Sequence, residues 1–256
     1  MYPVLFQIGS FTVESFWVMV FLGFVAATFV TRAEFRRRGV DPALAYDLIL
    51  YAYIGGLVGA RLFLVFTYWD RFLEDPFTFL LSGSGWVFYG GLIGGAAATL
   101  FGVWRLDVPL GVVVDAAGPA IAIGQAIGRL GCQLAGDGDY GIPSSLPWAM
   151  SYPNGVVPTT ERVHPTPIYE SLAYLAIFYF LWSQRERLST GEPLALYLIL
   201  ASAARFLVEF IRLNTVHAFG LTVAQWISLA MIAAGSALLL WVRAARPVQV
   251  QTAAGP

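Results

Sequence analysis

The chain has 256 residues, of which 58% are hydrophobic and only 12% charged, with a formal net charge of −1 and a mean hydropathy of +0.69. Soluble domains carry about twice that charged fraction, so the composition excludes an ordinary soluble protein and points to a membrane. The charge balance gives no argument for a polyanion, and no nucleic acid is expected as a partner.

A span needs roughly 20 mostly apolar residues to cross a hydrocarbon core about 30 Å thick. Seven such windows can be drawn, near 13–31, 44–67, 85–104, 109–128, 166–183, 193–211 and 220–242. The opening "MYPVLFQIGS" lacks a basic n-region and no small-residue cleavage pattern follows, so the first window is expected to be kept. All fifteen basic residues are arginine. Arg32, Arg36, Arg37 and Arg38 lie after the first window, Arg105 after the third, Arg185 and Arg187 after the fifth, and Arg243 and Arg246 in the tail. The alternate side is poorer, with Arg71, Arg129, Arg162 and Arg212. The positive-inside rule then puts the N-terminus outside and the C-terminus in the cytoplasm.

These readings predict an all-α integral membrane protein of about seven transmembrane helices. Residues 1–245 form one transmembrane domain, and 246–256 a disordered tail. Residues 129–165, rich in Gly, Pro, Ser and Asp, form an outward-facing polar loop between the fourth and fifth spans. "GGLVGA" (55–60) and "GGLIGG" (90–95) carry small residues one helical turn apart, which lets helix backbones approach closely. They are read as packing surfaces rather than as an internal repeat. Trp17, Trp69, Trp86 and Trp148 are read as interface anchors.

Charges inside an apolar chain carry the functional signal. An ionisable side chain at the bilayer centre costs about 2.5 to 3.5 kcal/mol on insertion scales, so each needs a partner, an interfacial position or a task. In "RFLVEFIR", Arg205, Glu209 and Arg212 fall at i, i+4 and i+7, on one helical face. Taken alone they could be a structural ion pair with an interface arginine. Arg61, Arg129, His164 and Glu170 enlarge the group. Arginine is favoured where a planar fork must grip phosphate or carboxylate in a poorly hydrated place, which suits an anionic lipid head group. Asp115 is read as a hydrogen-bonding partner for a neighbouring helix, and Asp47 as turned toward head groups.

Cys132, the only cysteine, is read as a small buried thiol. The alternative is a nucleophile activated by nearby Arg129. One cysteine and two histidines without paired spacing do not make a zinc site, and no metal or cofactor is expected.

The ordered motifs "FYGGLIGG" (88–95), "GRLGCQLAGDGDYG" (128–141), "HPTPIYE" (164–170) and "RFLVEFIR" (205–212) resemble those of the bacterial prolipoprotein diacylglyceryl transferases, along nearly the whole chain. The resemblance implies an enzyme of the bacterial inner membrane, with its site toward the outer side. It would move a diacylglyceryl group from phosphatidylglycerol to the lipobox cysteine thiol of a prolipoprotein signal peptide, releasing glycerol phosphate.

On that reading Arg129 and Arg205 stabilise the phosphate. Asp137 and Glu209 orient the arginines or receive a proton, and Tyr89 joins the catalytic group. Arg61, Gly90, Gly91, Gly128, Gly131, Cys132, His164, Glu170, Glu209 and Arg212 contact substrate, the glycines beside Arg129 letting backbone amides approach the head group. The chain departs from the family pattern at Cys132 and "AGD" (135–137), where asparagine and "NGE" are usual, and at Tyr89 and Phe16, where histidine and tyrosine occur. The competing classes are a lipid-binding or transport protein without catalysis, a relative acting on another acceptor, and a thiol enzyme using Cys132.

Overall fold

The computed structural model describes residues 1–9, 11–81 and 88–245. The chain begins with strands β1 (Val4–Ile8) and β2 (Phe11–Glu14), followed by helices α1 (Ser15–Arg37) and α2 (Leu44–Thr67). Two short helices, α3 (Trp69–Glu74) and α4 (Pro76–Leu81), precede α5 (Phe88–Arg105) and α6 (Leu110–Ala135). Strands β3 (Met150–Tyr152) and β4 (Thr159–Val163) lead to α7 (Thr166–Gln184), α8 (Glu192–Glu209) and α9 (Val223–Ala244). Each of the seven apolar windows falls on one of the long helices. Of these, α1, α2, α6 and α9 are long and apolar enough to cross a membrane.

The chain is mostly helical, consistent with the expected all-α membrane protein, and two short antiparallel hairpins lie outside the long helices. In the first, Phe6 pairs with Val13 and Gln7 with Thr12, so successive pairs alternate between an apolar and a polar face. One correction concerns the polar loop. Helix α6 runs through Arg129 to Ala135, so the irregular connection begins at Gly136 rather than at 129. Cys132, Gln133 and Ala135 are buried, and that packing keeps the glycine-containing segment helical despite its weak intrinsic propensity.

The chain divides into two compact units, one of Met1–Gly23 with the chain from Ala117 onward, the other of Phe24–Ala116. In the second unit α2 and α5 cross at their glycines. A Cβ added at Gly59 would fall 2.8 Å from the Gly94 Cα, and one at Gly55 would fall 2.6 Å from the Gly94 carbonyl oxygen. The two glycine motifs therefore serve helix packing. A core of Phe35, Ala45, Leu48, Val108 and Ala116 lies in the same unit. There the buried Asp115 pairs with Arg38, just beyond α1, matching its expected role as a helix partner.

In the first unit α7, α8 and α9 pack around Tyr174, Ile177, Leu181, Tyr197 and Ala201, together with Ala122 and Ala126 of α6. The Tyr197 hydroxyl donates to Gln125 Oε1 at 2.7 Å, and the Ser171 hydroxyl to the Ala126 carbonyl at 2.7 Å. Such bonds satisfy polar groups where water is scarce. The connection after α6 has its own small core. The Tyr140 and Tyr152 rings stack at 4.9 Å over Val163, and the Tyr152 hydroxyl donates to Gln133 Oε1 at 2.9 Å.

Candidate active site

Three irregular ends meet in the first unit. The Gly141 N–H donates to the His164 carbonyl at 2.9 Å, His164 N–H to Ile142 at 3.1 Å, and Ile142 N–H to Ile211 at 2.8 Å. These bonds stitch the segment after α6 to the start of α7 and the end of α8. The same stitching brings charged side chains from all three together.

At the centre is Glu170, on the first turns of α7, whose carboxylate is 0% exposed. Its Oε2 lies 3.3 Å from Arg129 Nε and accepts from Arg212 Nη1 at 3.3 Å, and its Oε1 lies 3.7 Å from Arg205 Nε. Asp139 bridges the outer side, accepting from Arg129 Nη1 through Oδ2 and from Arg212 Nη2 through Oδ1. Glu209, fully buried, pairs with Arg205 Nη1 at 2.5 Å and lies 3.8 Å from Arg212 Nε. Its other oxygen accepts from Thr222 Oγ1 and Asn214 Nδ2, each at 2.7 Å. Thr222 is also the N-cap of α9, in a capping box with Gln225, so the start of α9 is fastened to the site.

Three arginines thus face three carboxylates in a space from which water is largely excluded. Charges buried this way are tolerated only when paired, and each partner depends on the others. The satisfaction is incomplete. Arg205 Nη1 and Glu209 Oε2 meet as a close ion pair, whereas among the described residues the buried Arg212 Nε and Glu170 Oε1 make no hydrogen bond, their nearest opposite charges lying at 3.8 and 3.7 Å. An open donor such as Arg212 Nε can be completed by an anion that displaces one of the carboxylates.

Arg129, Arg205, Glu170, Glu209 and Arg212, all named from sequence, converge here. Arg212 does so from beyond the helix, since α8 ends at Glu209. His164 stands at the margin, its Nδ1 3.2 Å from the Tyr169 hydroxyl, which accepts from Trp148 Nε1 at 2.8 Å. Asp137, expected to orient the arginines or to receive a proton, joins none of their ion pairs among the described residues. Its Oδ1 accepts from the Asp139 N–H at 3.2 Å, and its carboxylate bonds to Cys132. Asp139 pairs with two of the arginines instead, and sequence reasoning did not single it out. The only signal was the repeated Gly-Asp of "GDGD", which does not say which aspartate turns inward until the end of α6 is known.

Burial and the neighbouring Asp139 charge raise the Asp137 carboxyl above its ordinary value. Burial also acts to raise Asp139, but Arg129 and Arg212 outweigh it and hold that carboxyl below the usual carboxylate range. Among the described residues, ligand atoms of Cys132, Asp137 and Asp139 gather within 4.8 Å of one another, the spacing a metal would need. Two guanidiniums on Asp139 oppose a cation there.

The glycines named from sequence have different surroundings. Gly131 lets α6 approach Phe16 and Met19 of α1, with an added Cβ only 3.3 Å from the Phe16 carbonyl oxygen. Gly128 has open space about it. Gly90 and Gly91 belong to the other unit, where they meet α2 at Gly59 and Gly56. Arg61 is a half-buried residue of α2 in that unit. Tyr89 opens α5, and its side chain lies outside the described residues, as does Trp86.

A model of the prolipoprotein diacylglyceryl transferase family matches residues 3–241. The chain is 34% identical over 228 residues to the phosphatidylglycerol–prolipoprotein diacylglyceryl transferase of Leptospira interrogans, covering 78% of this chain and 72% of that one. It is 32% identical to the enzyme of the same name from Gloeobacter violaceus, covering 94% and 92%. With that from Clostridium tetani the identity is 30%, covering 83% and 86%.

Proposed function

The chain belongs to the prolipoprotein diacylglyceryl transferase family, and on that footing we propose that the arginine network around Glu170 is the seat of its reaction. The enzyme transfers a diacylglyceryl group from phosphatidylglycerol to the cysteine thiol of a prolipoprotein. The sulfur forms a bond to the glycerol carbon, the bond from that carbon to the phosphate oxygen breaks, and glycerol phosphate departs with the electron pair. Negative charge therefore builds on phosphate oxygens while the thiol gives up its proton.

Arg129, Arg205 and Arg212 grip the phosphate together. In a water-poor site each well-aimed donor contributes about 3 kcal/mol of transition-state stabilisation. Glu170 and Glu209 hold the three guanidiniums apart and correctly turned. The acceptor sulfur belongs to the substrate, so the scarcity of cysteine in this chain is no obstacle. His164, with Tyr169 and Trp148, lines the approach of the substrate peptide.

The observation that supports this most is the convergence of three guanidiniums, from α6 and both sides of the end of α8, on one buried carboxylate, with Arg212 Nε making no hydrogen bond among the described residues. The acceptor cysteine is that of the lipobox in a signal peptide. The enzyme sits in the bacterial inner membrane with all seven long helices spanning and the site toward the outer face, consistent with the arginine-rich ends of α1, α5 and α9 lying inside. Residues 1–245 act as one transmembrane domain. The boundary between the two compact units falls within α1 and α6 rather than in a linker.

The test is to incubate the purified protein with phosphatidylglycerol and a cysteine-bearing lipobox peptide and weigh the peptide. A mass gain of one diacylglyceryl group is expected. An unmodified peptide under conditions where the protein stays folded contradicts the reading.

A further inference from the structure

The resting network leaves no spare positive charge for a lipid phosphate. Arg129, Arg205 and Arg212 are matched by Asp139, Glu170 and Glu209. A phosphodiester carries one negative charge at neutral pH, as a carboxylate does. Adding it to this set would leave an unmatched anion in a poorly solvated place, whereas exchanging it for one carboxylate keeps the balance.

The three carboxylates are not equally able to leave. Glu170 and Glu209 are 0% exposed and are fixed on α7 and α8. Asp139 is 29% exposed and sits in the irregular segment between α6 and β3. Its neighbour Gly138 has φ +92, and Gly136 has φ +60, conformations that glycine adopts freely. The geometry of Asp139 is that of a small bound anion, since its two oxygens are shared between two guanidiniums on separate parts of the chain. Arg212, whose side chain is 7% exposed, adds a buried Nε that makes no hydrogen bond.

We propose that Asp139 is a built-in stand-in for the phosphate: it occupies the anion position between Arg129 and Arg212 at rest and swings out when the phosphodiester of the lipid head group arrives. This inference rests on the transferase reading for the identity of the lipid. Asp139 is a positioning residue in this account, acting through the two arginines.

Removing Asp139 separates competition from bracing by the sign of the effect. A residue that merely braces the arginines would, on removal, weaken anion binding. A residue that competes with the anion would, on removal, strengthen it. If Asp139 holds the arginines in about nine molecules of ten, Asp139→Asn tightens binding about tenfold, because apparent affinity scales with the competent fraction.

The probe is glycerophosphoglycerol, the soluble head group of phosphatidylglycerol without its acyl chains, titrated calorimetrically into the whole protein in detergent. Tighter binding to Asp139→Asn than to the wild type, restored to the wild-type value in Asp139→Glu, is the result expected. Equal or weaker binding overturns the proposal.

Should Asp139→Asn fail to fold, hydrogen exchange on the wild-type protein decides. Amides of residues 137–140 should exchange faster when the probe is bound, since their anchoring side chain has been released. Slower or unchanged exchange overturns the proposal. Absence of lipid transfer by the wild type would strike the transferase reading instead and would leave the comparison of head-group affinities intact.

Discussion

Arg129 on α6 and Arg205 on α8 aim their Nε atoms at opposite oxygens of the Glu170 carboxylate, at 3.3 and 3.7 Å. Remote parts of the polypeptide are thereby joined through one buried charge. Losing that charge leaves three guanidiniums sharing only Asp139 and Glu209, and breaking a buried pair from one side costs about 3 to 5 kcal/mol. Glu170→Gln should lower the thermal unfolding midpoint in detergent and abolish transfer. A variant with the wild-type midpoint would show that the pairing carries little of the stability.

The crossing of α2 and α5 gives a graded test. A methyl group at Gly59 would meet the Gly94 backbone at 2.8 Å, while one at Gly56 would meet the Gly91 carbonyl oxygen at an ordinary 3.5 Å. Gly59→Ala should therefore destabilise by about 1 to 3 kcal/mol, the usual cost of overpacking, and Gly56→Ala should be nearly neutral. Thermal midpoints of the two variants check this, and equal midpoints would contradict the crossing geometry.

Cys132→Ser separates a packing thiol from a reacting one. The residue is buried on α6 beside Asp137, and the sulfur that reacts belongs to the substrate. Transfer in the variant should stay within a few-fold of wild type by peptide mass. Near-complete loss with an intact fold would favour a thiol mechanism.

Acid should act through Asp139. Its carboxyl titrates below the usual range because the arginine pairs outweigh burial, so its contribution to stability is full above the unfolded value, about 3.9, and fades as pH falls through the lower folded one. Unfolding midpoints should drop on acidification below about pH 4, and the drop should be shallower in Asp139→Asn. Identical pH profiles would remove Asp139 from the network.

The sequence was most legible where a single physical demand dominated. Hydrophobic length located the long helices, with α2 bounded at the residues expected, because lipid forces backbone groups to pair within a helix. Charge in an apolar chain likewise exposed Arg129, Glu170, Arg205, Glu209 and Arg212. What stayed hidden depended on where helices stop. α6 runs past Arg129 because Cys132, Gln133 and Ala135 are buried, which no local pattern announces. That extension turns Asp139 rather than Asp137 toward the arginines. The small hairpins were overlooked because β3 and β4 are only 3 and 5 residues long, too short for their alternation to stand out.

The central claim is that planar forks on Arg129 and Arg205 hold the phosphate of the lipid. The most direct measurement is the rate of diacylglyceryl transfer to a lipobox peptide by Arg129→Lys and Arg205→Lys, each retaining charge while losing the two-pronged donor. A fall of about a hundredfold in each, with folding intact, is predicted from the worth of one aligned donor in a dry site. Wild-type rates in both variants would contradict the account.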